Sequence, residues 1–431
     1  MIEAMSNLYF DSVALSKPLF KKAHKFYKLL AANYSKTSPF QSFTAFLMIC
    51  AIICFFAVMG CTFFYLSPSS ETVVGMIDRN KGINSPNTSP KVCNVFDGKW
   101  IADESYPLYN ASDCPFVERG FDCLANGRKD KEYLKWRWKP HNCEIPRFNA
   151  RKVLEFLRGK RVVFVGDSLS RTQWESMVCM LMSGVEEKNS VYEMNGNEIT
   201  KRIRHLGVRF GSYGLSVEFY RSIFLVQPGP APKRSPKRVK TVVKLDQLDD
   251  VSGEWVDSDI LVFNSGHWWT PTKLFEISDE HFSDRGWYFQ VGNKIKFGMP
   301  ISKAFKIALS TWQSWTDSAI DPNRTHVFFR TFESTHWSSG SRQKCRVTTR
   351  PSSKPNGRQR SSITDSIVNA VERVSFPVKL LHVTQMGAFR SDGHVGSWSD
   401  NREVPDCSHW CLPGVPDIWN EILFSFLLPG F

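Results

Sequence analysis

One long apolar segment dominates the hydrophobic pattern of this 431-residue chain. Residues 43–66 are 24 consecutive positions without a charged side chain. Because a helix rises about 1.5 Å per residue, a helix of this length spans the roughly 30 Å hydrocarbon core of a bilayer. A cleaved signal peptide is the alternative, but the run is longer than an ordinary signal-peptide core and follows about 40 other residues. We therefore predict a membrane anchor.

Basic residues upstream of this segment predict its orientation. Positive charges concentrate on the cytosolic side of a membrane span. They precede the segment at Lys17, Lys21, Lys22, Lys25, Lys28 and Lys36. The N-terminus is then cytosolic, the topology is single-pass type II, and the chain after Leu66 lies in the secretory lumen. Glycosylation sequons at Asn87, Asn110 and Asn323 agree with this topology.

From Ala150 onwards, short apolar runs alternate with segments of helical period. The predicted strands are Arg161–Val165, Asp259–Phe263, His326–Arg330 and Val378–Thr384. The predicted helices are Ser170–Met182, Pro300–Asp317 and Ser362–Val374. Such alternation is typical of a mainly parallel sheet with helices on both faces. The predicted fold class is therefore α/β.

Changes in composition divide the chain into five predicted parts. Residues 67–92 contain Ser-Pro pairs and little apolar content, which is typical of a stalk, and residues 93–149 are rich in cysteine and aromatic residues. The predicted order is a cytosolic basic tail (1–41), a transmembrane signal-anchor helix (42–66), a luminal stalk (67–92), a small cysteine-rich subdomain (93–149) and a catalytic domain (150–431).

The cysteine content favours disulfide bonds over a metal site. Eleven cysteines are present, and three of them fall inside the predicted span. The other eight are Cys93, Cys114, Cys123, Cys143, Cys179, Cys345, Cys407 and Cys411. An even number in an oxidising compartment favours disulfides, with roughly a hundred possible pairings. A zinc site is the alternative, but the spacings match no common zinc finger. We predict no metal.

The first segment whose residues could act in catalysis is Gly166-Asp167-Ser168. It follows the predicted strand Arg161–Val165 and precedes a helix. A serine at such a turn lies near a helix N-terminus, where free N–H groups can stabilise an oxyanion. The alternative is that Asp167 and Ser168 only cap the helix. Taken alone, the motif does not decide between catalysis and capping.

A second segment near the C-terminus offers a base and an acid. Asp406 and His409 are three residues apart, so one carboxylate can orient one imidazole. A serine hydroxyl needs a base to take its proton, and an aspartate on the other ring nitrogen fixes the tautomer. A surface Asp and His on a loop is the alternative. Together with Ser168, these residues predict a Ser-His-Asp catalytic triad.

The two segments, with the blocks around them, resemble the plant trichome birefringence-like family of the SGNH/GDSL hydrolase-like superfamily. The resemblance runs from about Cys93 to the C-terminus. Its motifs are Cys93-Asn-Val-Phe-Asp-Gly-Lys-Trp100, Tyr133-Leu-Lys-Trp-Arg-Trp-Lys-Pro140, Gly166-Asp-Ser-Leu-Ser-Arg-Thr-Gln173, Asn264-Ser-Gly-His-Trp-Trp269 and Asp406-Cys-Ser-His-Trp-Cys-Leu-Pro-Gly414.

This resemblance implies a Golgi polysaccharide O-acetyltransferase. It implies an SGNH-hydrolase-like three-layer α/β/α sandwich with a small disulfide-rich N-terminal subdomain. It also implies a cysteine pairing: Cys93 with Cys143, Cys114 with Cys179, Cys123 with Cys411, and Cys345 with Cys407. The chain departs from the usual family pattern at Thr331-Phe-Glu-Ser-Thr-His-Trp337, where a Ser-Pro-x-His form is expected, and this leaves the acceptor specificity open.

Three further residues are assigned to oxyanion or substrate binding. Asn264 follows a predicted strand and matches the family's asparagine block, although a turn-forming asparagine is the alternative. Arg171 could reach the same pocket from the first turn of the helix, or lie on the surface. Gly166 belongs to the tight turn itself. His267 and His394 are other histidines near the motifs, and we expect each to be structural or substrate-contacting.

The partners that the resemblance implies are a cell-wall polysaccharide acceptor, an acetyl donor and the Golgi membrane, and the predicted luminal location excludes nucleic acid. No segment resembles a phosphate cradle for coenzyme A, so no bound cofactor is predicted and the donor stays open. The net charge is +13, with basic clusters at 233–244 and 342–360 that favour an acidic pectin such as rhamnogalacturonan over neutral xylan. An acetyl esterase with the same triad and a non-catalytic pectin-binding wall protein are the alternative functions.

Overall fold

The structure, a computed structural model, describes residues 93–276, 287–337, 345–355 and 361–428. The predicted tail, membrane span and stalk lie outside the described residues. Within the described ranges, no helix has both the length and the apolar character needed to cross a bilayer.

The described residues form a mixed α/β structure. The strands are β1 (Gly98–Ala102), β2 (Trp136–Pro140), β3 (Arg161–Gly166), β4 (Val191–Glu193), β5 (His205–Phe210), β6 (Leu215–Arg221), β7 (Val226–Pro230), β8 (Thr241–Leu248), β9 (Ile260–Asn264), β10 (Trp287–Val291), β11 (Lys294–Ile295), β12 (His326–Arg330), β13 (Lys379–Leu381), β14 (His394–Gly396) and β15 (Asp406–Trp410). The helices are α1 (Ala150–Phe156), α2 (Ser168–Met182), α3 (Ile301–Ala319), α4 (Ser362–Val371), the single turn α5 (Thr384–Gly387) and α6 (Val415–Leu427).

The central sheet has the strand order β13-β12-β9-β3-β6-β5-β4. Neighbours from β13 to β6 are parallel, and β5 and β4 extend the sheet in antiparallel fashion. The mainly parallel sheet predicted from the sequence is therefore confirmed. Because β3, β9 and β12 run in the same direction, their last residues, Gly166, Asn264 and Arg330, lie at one edge of the sheet.

Helices cover both faces of this sheet. Alternate residues of a strand point to opposite faces, so β3 places Val162 and Phe164 in one core and Val163 and Val165 in the other. The first core is completed by apolar residues of α1, α2 and α6, and the second by residues of α3 and α4. A smaller sheet, β11-β10-β8-β7, packs on the α3 side, where Thr311 donates a hydrogen bond to the Leu245 carbonyl over 2.6 Å.

In the N-terminal part of the described residues, β1 and β2 form an antiparallel pair that is joined by a long connection. Trp100 faces Trp138 across this pair, with ring centroids 5.6 Å apart in an edge-on arrangement. The Trp100 indole also donates to the Met386 carbonyl over 2.9 Å, and the Tyr106 hydroxyl donates to Glu421 over 2.7 Å. These contacts bind the cysteine-rich region to the α/β region.

Four disulfides join the predicted cysteine pairs. They connect Cys93 with Cys143, Cys114 with Cys179, Cys123 with Cys411, and Cys345 with Cys407. The pairing implied by the family resemblance is therefore confirmed. Two of these bonds hold β15, because Cys407 lies within this strand and Cys411 follows it directly.

Most predicted elements are present, with shifted ends. Helix α2 begins at Ser168 rather than Ser170, because Asp167 caps it, and β13 is shorter than the predicted strand. Helix α6 was not predicted. Its residues from Val415 to Phe424 are all buried, and its polar stripe of Asp417, Asn420 and Glu421 accepts hydrogen bonds from Ser176, Gln173 and Tyr106 inside the protein instead of facing solvent.

Candidate active site

Ser168 is the first residue of α2 and lies directly after the turn that ends β3. The Asp167 side chain caps the helix by accepting a hydrogen bond from the Leu169 N–H over 3.0 Å. Capping by Asp167 and an active-site position for Ser168 therefore occur in the same turn. The first N–H groups of a helix have no carbonyl partner inside the helix, so those other than the Leu169 N–H, which donates to Asp167, are available to a developing negative charge.

The turn requires a glycine because Asn264 approaches it closely. A Cβ atom on Gly166 would lie 1.9 Å from Asn264 Oδ1 and 2.7 Å from the Asn264 carbonyl oxygen. The same Oδ1 accepts a hydrogen bond from the Asp167 N–H over 3.2 Å. Gly166 therefore allows the end of β9 to contact the turn that carries Ser168.

Substitution Gly166→Ala should destabilise the fold and displace Ser168. We expect a loss of about 1–3 kcal/mol in the free energy of unfolding, because the added methyl collides with backbone as well as side chain. Denaturant unfolding measures this loss. Gly253→Ala is the matched control, since a Cβ atom there meets nothing within 4 Å. Equal stability of the two variants would contradict the argument.

His409 and Asp406, the predicted base and acid, reach Ser168 from β15. Ser168 Oγ lies 2.6 Å from His409 Nε2, although the two residues are 241 positions apart in the sequence. His409 Nδ1 lies 2.6 Å from Asp406 Oδ2. The other oxygen of Asp406 accepts hydrogen bonds from the N–H groups of Ser408 and His409, over 2.8 and 3.0 Å. Hydroxyl, imidazole and carboxylate thus form one continuous hydrogen-bonded chain.

The charge on Asp406 favours His409 as a proton acceptor for Ser168. Burial alone would raise the pKa of Asp406, but the His409 imidazole and the two backbone N–H groups outweigh it and hold the pKa well below its usual range. Asp406 is therefore ionised at neutral pH, so His409 Nδ1 carries the proton and Nε2 is free to accept one from Ser168. The ring of Phe121 stacks on His409 with centroids 5.5 Å apart and fixes its orientation.

Asn264 contacts the nucleophile turn, whereas Arg171 forms structural ion pairs. Asn264 is 2% exposed, and its side-chain amide donates to Asp167 Oδ1 over 3.0 Å. The guanidinium of Arg171 is buried, pairs with Glu118, and donates to Glu175 over 3.0 Å. Arg171 also lies over the Phe121 ring, 4.8 Å from its centroid. Arg171 is therefore not in the position of the predicted oxyanion donor. Its guanidinium lies against Phe121, because two buried carboxylates bind its charge.

A buried histidine pair contacts the backbone of β15, the strand that carries His409. His394 Nδ1 lies 2.9 Å from the His409 carbonyl oxygen, and His394 Nε2 lies 2.7 Å from His336 Nδ1. Burial lowers the pKa of His394 to about 3, so its ring is neutral. His394 also stacks on Trp410 at 4.0 Å. Sequence reasoning missed His336, although it lies in the stretch 331–337 that departs from the family pattern.

The tryptophans near the motifs divide into core residues and residues with some exposure. Trp138, Trp269 and Trp410 are buried. Trp136, Trp268, Trp337 and Trp398 are partly exposed. The Trp337 indole donates a hydrogen bond over 2.9 Å to the Oγ of Ser408, the residue that precedes His409.

Comparison with known proteins agrees with this geometry. Residues 145–426 match the GDSL/SGNH-like acyl-esterase family found in Pmr5 and Cas1p, and residues 91–144 match the PMR5 N-terminal domain. Fold and family model together define a GDSL/SGNH-like acyl-esterase domain.

Curated relatives narrow the assignment. Trichome birefringence-like 7 of Arabidopsis thaliana is 56% identical over 87% of this chain and 82% of its own length. Trichome birefringence-like 9 of the same plant is 41% identical over 80% of this chain and 86% of its own length. The chain belongs to the trichome birefringence-like family.

Proposed function

We propose that this protein transfers acetyl groups to hydroxyls of a plant cell-wall polysaccharide through an acyl-serine intermediate. The observation that carries the proposal is the chain of two 2.6 Å contacts from Ser168 through His409 to Asp406, set at a helix N-terminus. A hydroxyl activated in this way attacks acyl carbonyl groups, and membership of an acyl-esterase family agrees with acyl chemistry.

The proposed reaction has two half-reactions that share the same residues. In the first, Ser168 Oγ attacks the acetyl carbonyl of the donor, His409 Nε2 takes the serine proton, and the leaving group departs with that proton. In the second, a sugar hydroxyl attacks the acetyl-serine and gives its proton to His409. The ester bond to Ser168 then breaks, and the serine oxygen recovers the proton. Asp406 orients His409 in both.

The oxyanion of each tetrahedral intermediate needs hydrogen-bond donors. The N–H groups at the start of α2 other than that of Leu169, which donates to Asp167, are the proposed donors, and Asn264 is a further candidate because its amide lies against the same turn. No bound cofactor is required by this chemistry, since the acyl group is carried by Ser168. The chemical nature of the donor stays open.

An acetyl esterase would use the same half-reactions with water in place of the sugar. The description of the matched family as acyl-esterases favours this second candidate. The two functions are separated by giving the luminal region an activated acetyl ester together with wall oligosaccharides. Transfer predicts acetylated sugar as the main product, and an esterase releases only free acetate.

The basic surface supports an acidic acceptor such as rhamnogalacturonan. The loop between β7 and β8 carries exposed cations at Lys233, Arg234, Lys237, Arg238 and Lys240. Arg238 lies 5.2 Å above the ring of Phe297, which is 49% exposed. An exposed aromatic face beside several cations suits a chain of sugar rings that bear carboxylates.

Salt and charge neutralisation should therefore weaken binding of an acidic acceptor more than that of neutral xylan. We expect the double substitution Lys237→Gln and Arg238→Gln to raise KM for rhamnogalacturonan oligosaccharides at least about twofold at low salt, where screening is weak. The control removes the same charge at the exposed pair Lys201 and Arg202 before β5. Equal effects on both acceptors, or from both pairs, would contradict an acidic acceptor.

The proposed location is the Golgi membrane, with a single-pass type II topology and the catalytic region in the lumen. The four disulfides support it, because such bonds persist in oxidising compartments and are rare in the cytosol. The anchor at 42–66 is part of this proposal.

A further inference from the structure

His267 lies at the same edge of the sheet as the nucleophile. It follows the end of β9 by three residues, and Asn264 at that end touches the turn that carries Ser168. Strand β9 lies between β3 and β12 in the sheet, so loops from all three strands meet there. The proposed mechanism does not use His267.

The surrounding residues fix the ring of His267. Its Nε2 atom lies 2.7 Å from Glu333 Oε2, and its ring stacks on Phe332 with centroids 4.2 Å apart and planes 19° apart. Glu333 is fully buried and forms an ion pair with Arg330 at the end of β12. A buried carboxylate held by a guanidinium is a hydrogen-bond acceptor, so Nε2 of His267 is the atom that carries the hydrogen.

The other ring nitrogen is left as an acceptor. Burial lowers the pKa of His267 to about 4, so the ring is neutral and has a single N–H, which Glu333 accepts. Nδ1 accepts no hydrogen bond from the described residues, and this atom is not completely buried. The side chain is 14% exposed. Nδ1 is therefore an oriented acceptor open to solvent beside the candidate active site.

We propose that His267 Nδ1 accepts a hydrogen bond from a second hydroxyl of the acceptor sugar, next to the hydroxyl that attacks. This inference rests on the acyl transfer proposed above. The attacking hydroxyl gives its proton to His409, while the neighbouring hydroxyl keeps its proton and makes no covalent bond. A sugar with two adjacent hydroxyls is then preferred over water and over simple alcohols in the second half-reaction.

The test measures how the acetyl-enzyme divides between sugar and water. Wild-type and variant full-length proteins are acetylated with p-nitrophenyl acetate in the presence of rhamnogalacturonan oligosaccharides, and acetylated sugar is compared with free acetate. His267→Gln lacks an acceptor at the Nδ1 position, and we expect its ratio of transfer to hydrolysis to fall about 3- to 10-fold, the value of one neutral hydrogen bond. His267→Asn places an oxygen near that position and should recover part of the ratio.

A second experiment compares two acceptor sugars, with and without the neighbouring hydroxyl, within each protein. Because each protein is its own reference, a smaller folded fraction of a variant does not change this comparison. We expect wild-type protein to lose the same factor when the sugar is replaced by its deoxy analogue at the neighbouring position. His267→Gln should show no further loss with that analogue. An unchanged ratio in His267→Gln, or an equal deoxy effect in both proteins, would overturn the role of His267 and leave the acyl-serine mechanism intact. Absence of any acetyl-enzyme in wild type would overturn both.

Discussion

Ser168→Ala should lower acetyl transfer and ester cleavage by about 10⁴-fold or more, because it removes the only atom that forms the proposed acyl bond. The hydroxyl lies 2.6 Å from His409 Nε2, close enough for direct proton transfer. The fold should survive, since alanine is a good helix former and the bond from Thr172 uses the Ser168 carbonyl, not its side chain. Stopped-flow detection of p-nitrophenol and mass spectrometry of the acetylated protein measure the effect.

The control for this variant is Ser170→Ala, two residues further along the same helix. Ser170 is buried, and its hydroxyl has no hydrogen-bond partner among the described residues, so the substitution should leave activity nearly unchanged. The double variant Ser168→Ala and His409→Ala should be no less active than either single variant, because nucleophile and base act as a unit. Full function of Ser168→Ala in a plant complementation assay would favour a non-catalytic, pectin-binding protein.

The three triad candidates could be predicted from the sequence, but their assembly could not. Gly166-Asp167-Ser168 and Asp406-x-x-His409 each have a structural alternative when taken alone. Their contact joins residues 241 positions apart, and no periodicity or spacing specifies it. Their complementary chemistry and the family resemblance link the two motifs in the sequence, but the distance between them follows only from the fold.

The direction of the Arg171 side chain depends on tertiary contacts. Its place in the first turn of α2 follows from the sequence, but the direction of its guanidinium does not. Glu175, one turn later on the same helix, and Glu118, from the cysteine-rich region, bind the charge in the interior. The i,i+4 spacing of Arg171 and Glu175 is visible in the sequence, but the burial of this pair and its contact with Glu118 are not.

The central parallel strands were predicted because each is a short run of apolar residues. Strand β6 does not have this pattern, since Glu218 is a buried charged residue in its middle. Arg161 of β3 compensates that charge with two hydrogen bonds, over 2.8 and 2.7 Å. Burial opposes ionisation of Glu218, but Arg161 and His205 lower its pKa well below the usual range. The compensation is tertiary, so sequence patterning misses the strand.

Removal of the Cys123–Cys411 disulfide should reduce both stability and activity. The bond joins residues 288 positions apart, and both sulfur-bearing side chains are fully buried. Loss of a native disulfide typically costs about 2–5 kcal/mol, with longer loops towards the upper end. Activity should fall as well, because Cys411 follows the strand that carries Asp406 and His409, and Cys123 lies two residues after Phe121, which stacks on His409.

The experiment compares the double variant Cys123→Ser and Cys411→Ser with the double variant Cys93→Ser and Cys143→Ser. The second bond closes a span of only 50 residues and lies at neither end of β15. Denaturant unfolding should show the larger loss for the first variant. Esterase activity under conditions where both proteins are folded should fall in the first variant and persist in the second. Equal activities would mean that the triad keeps its geometry without this bond, and that the 2.6 Å contacts are maintained by the remaining anchor, Cys345–Cys407.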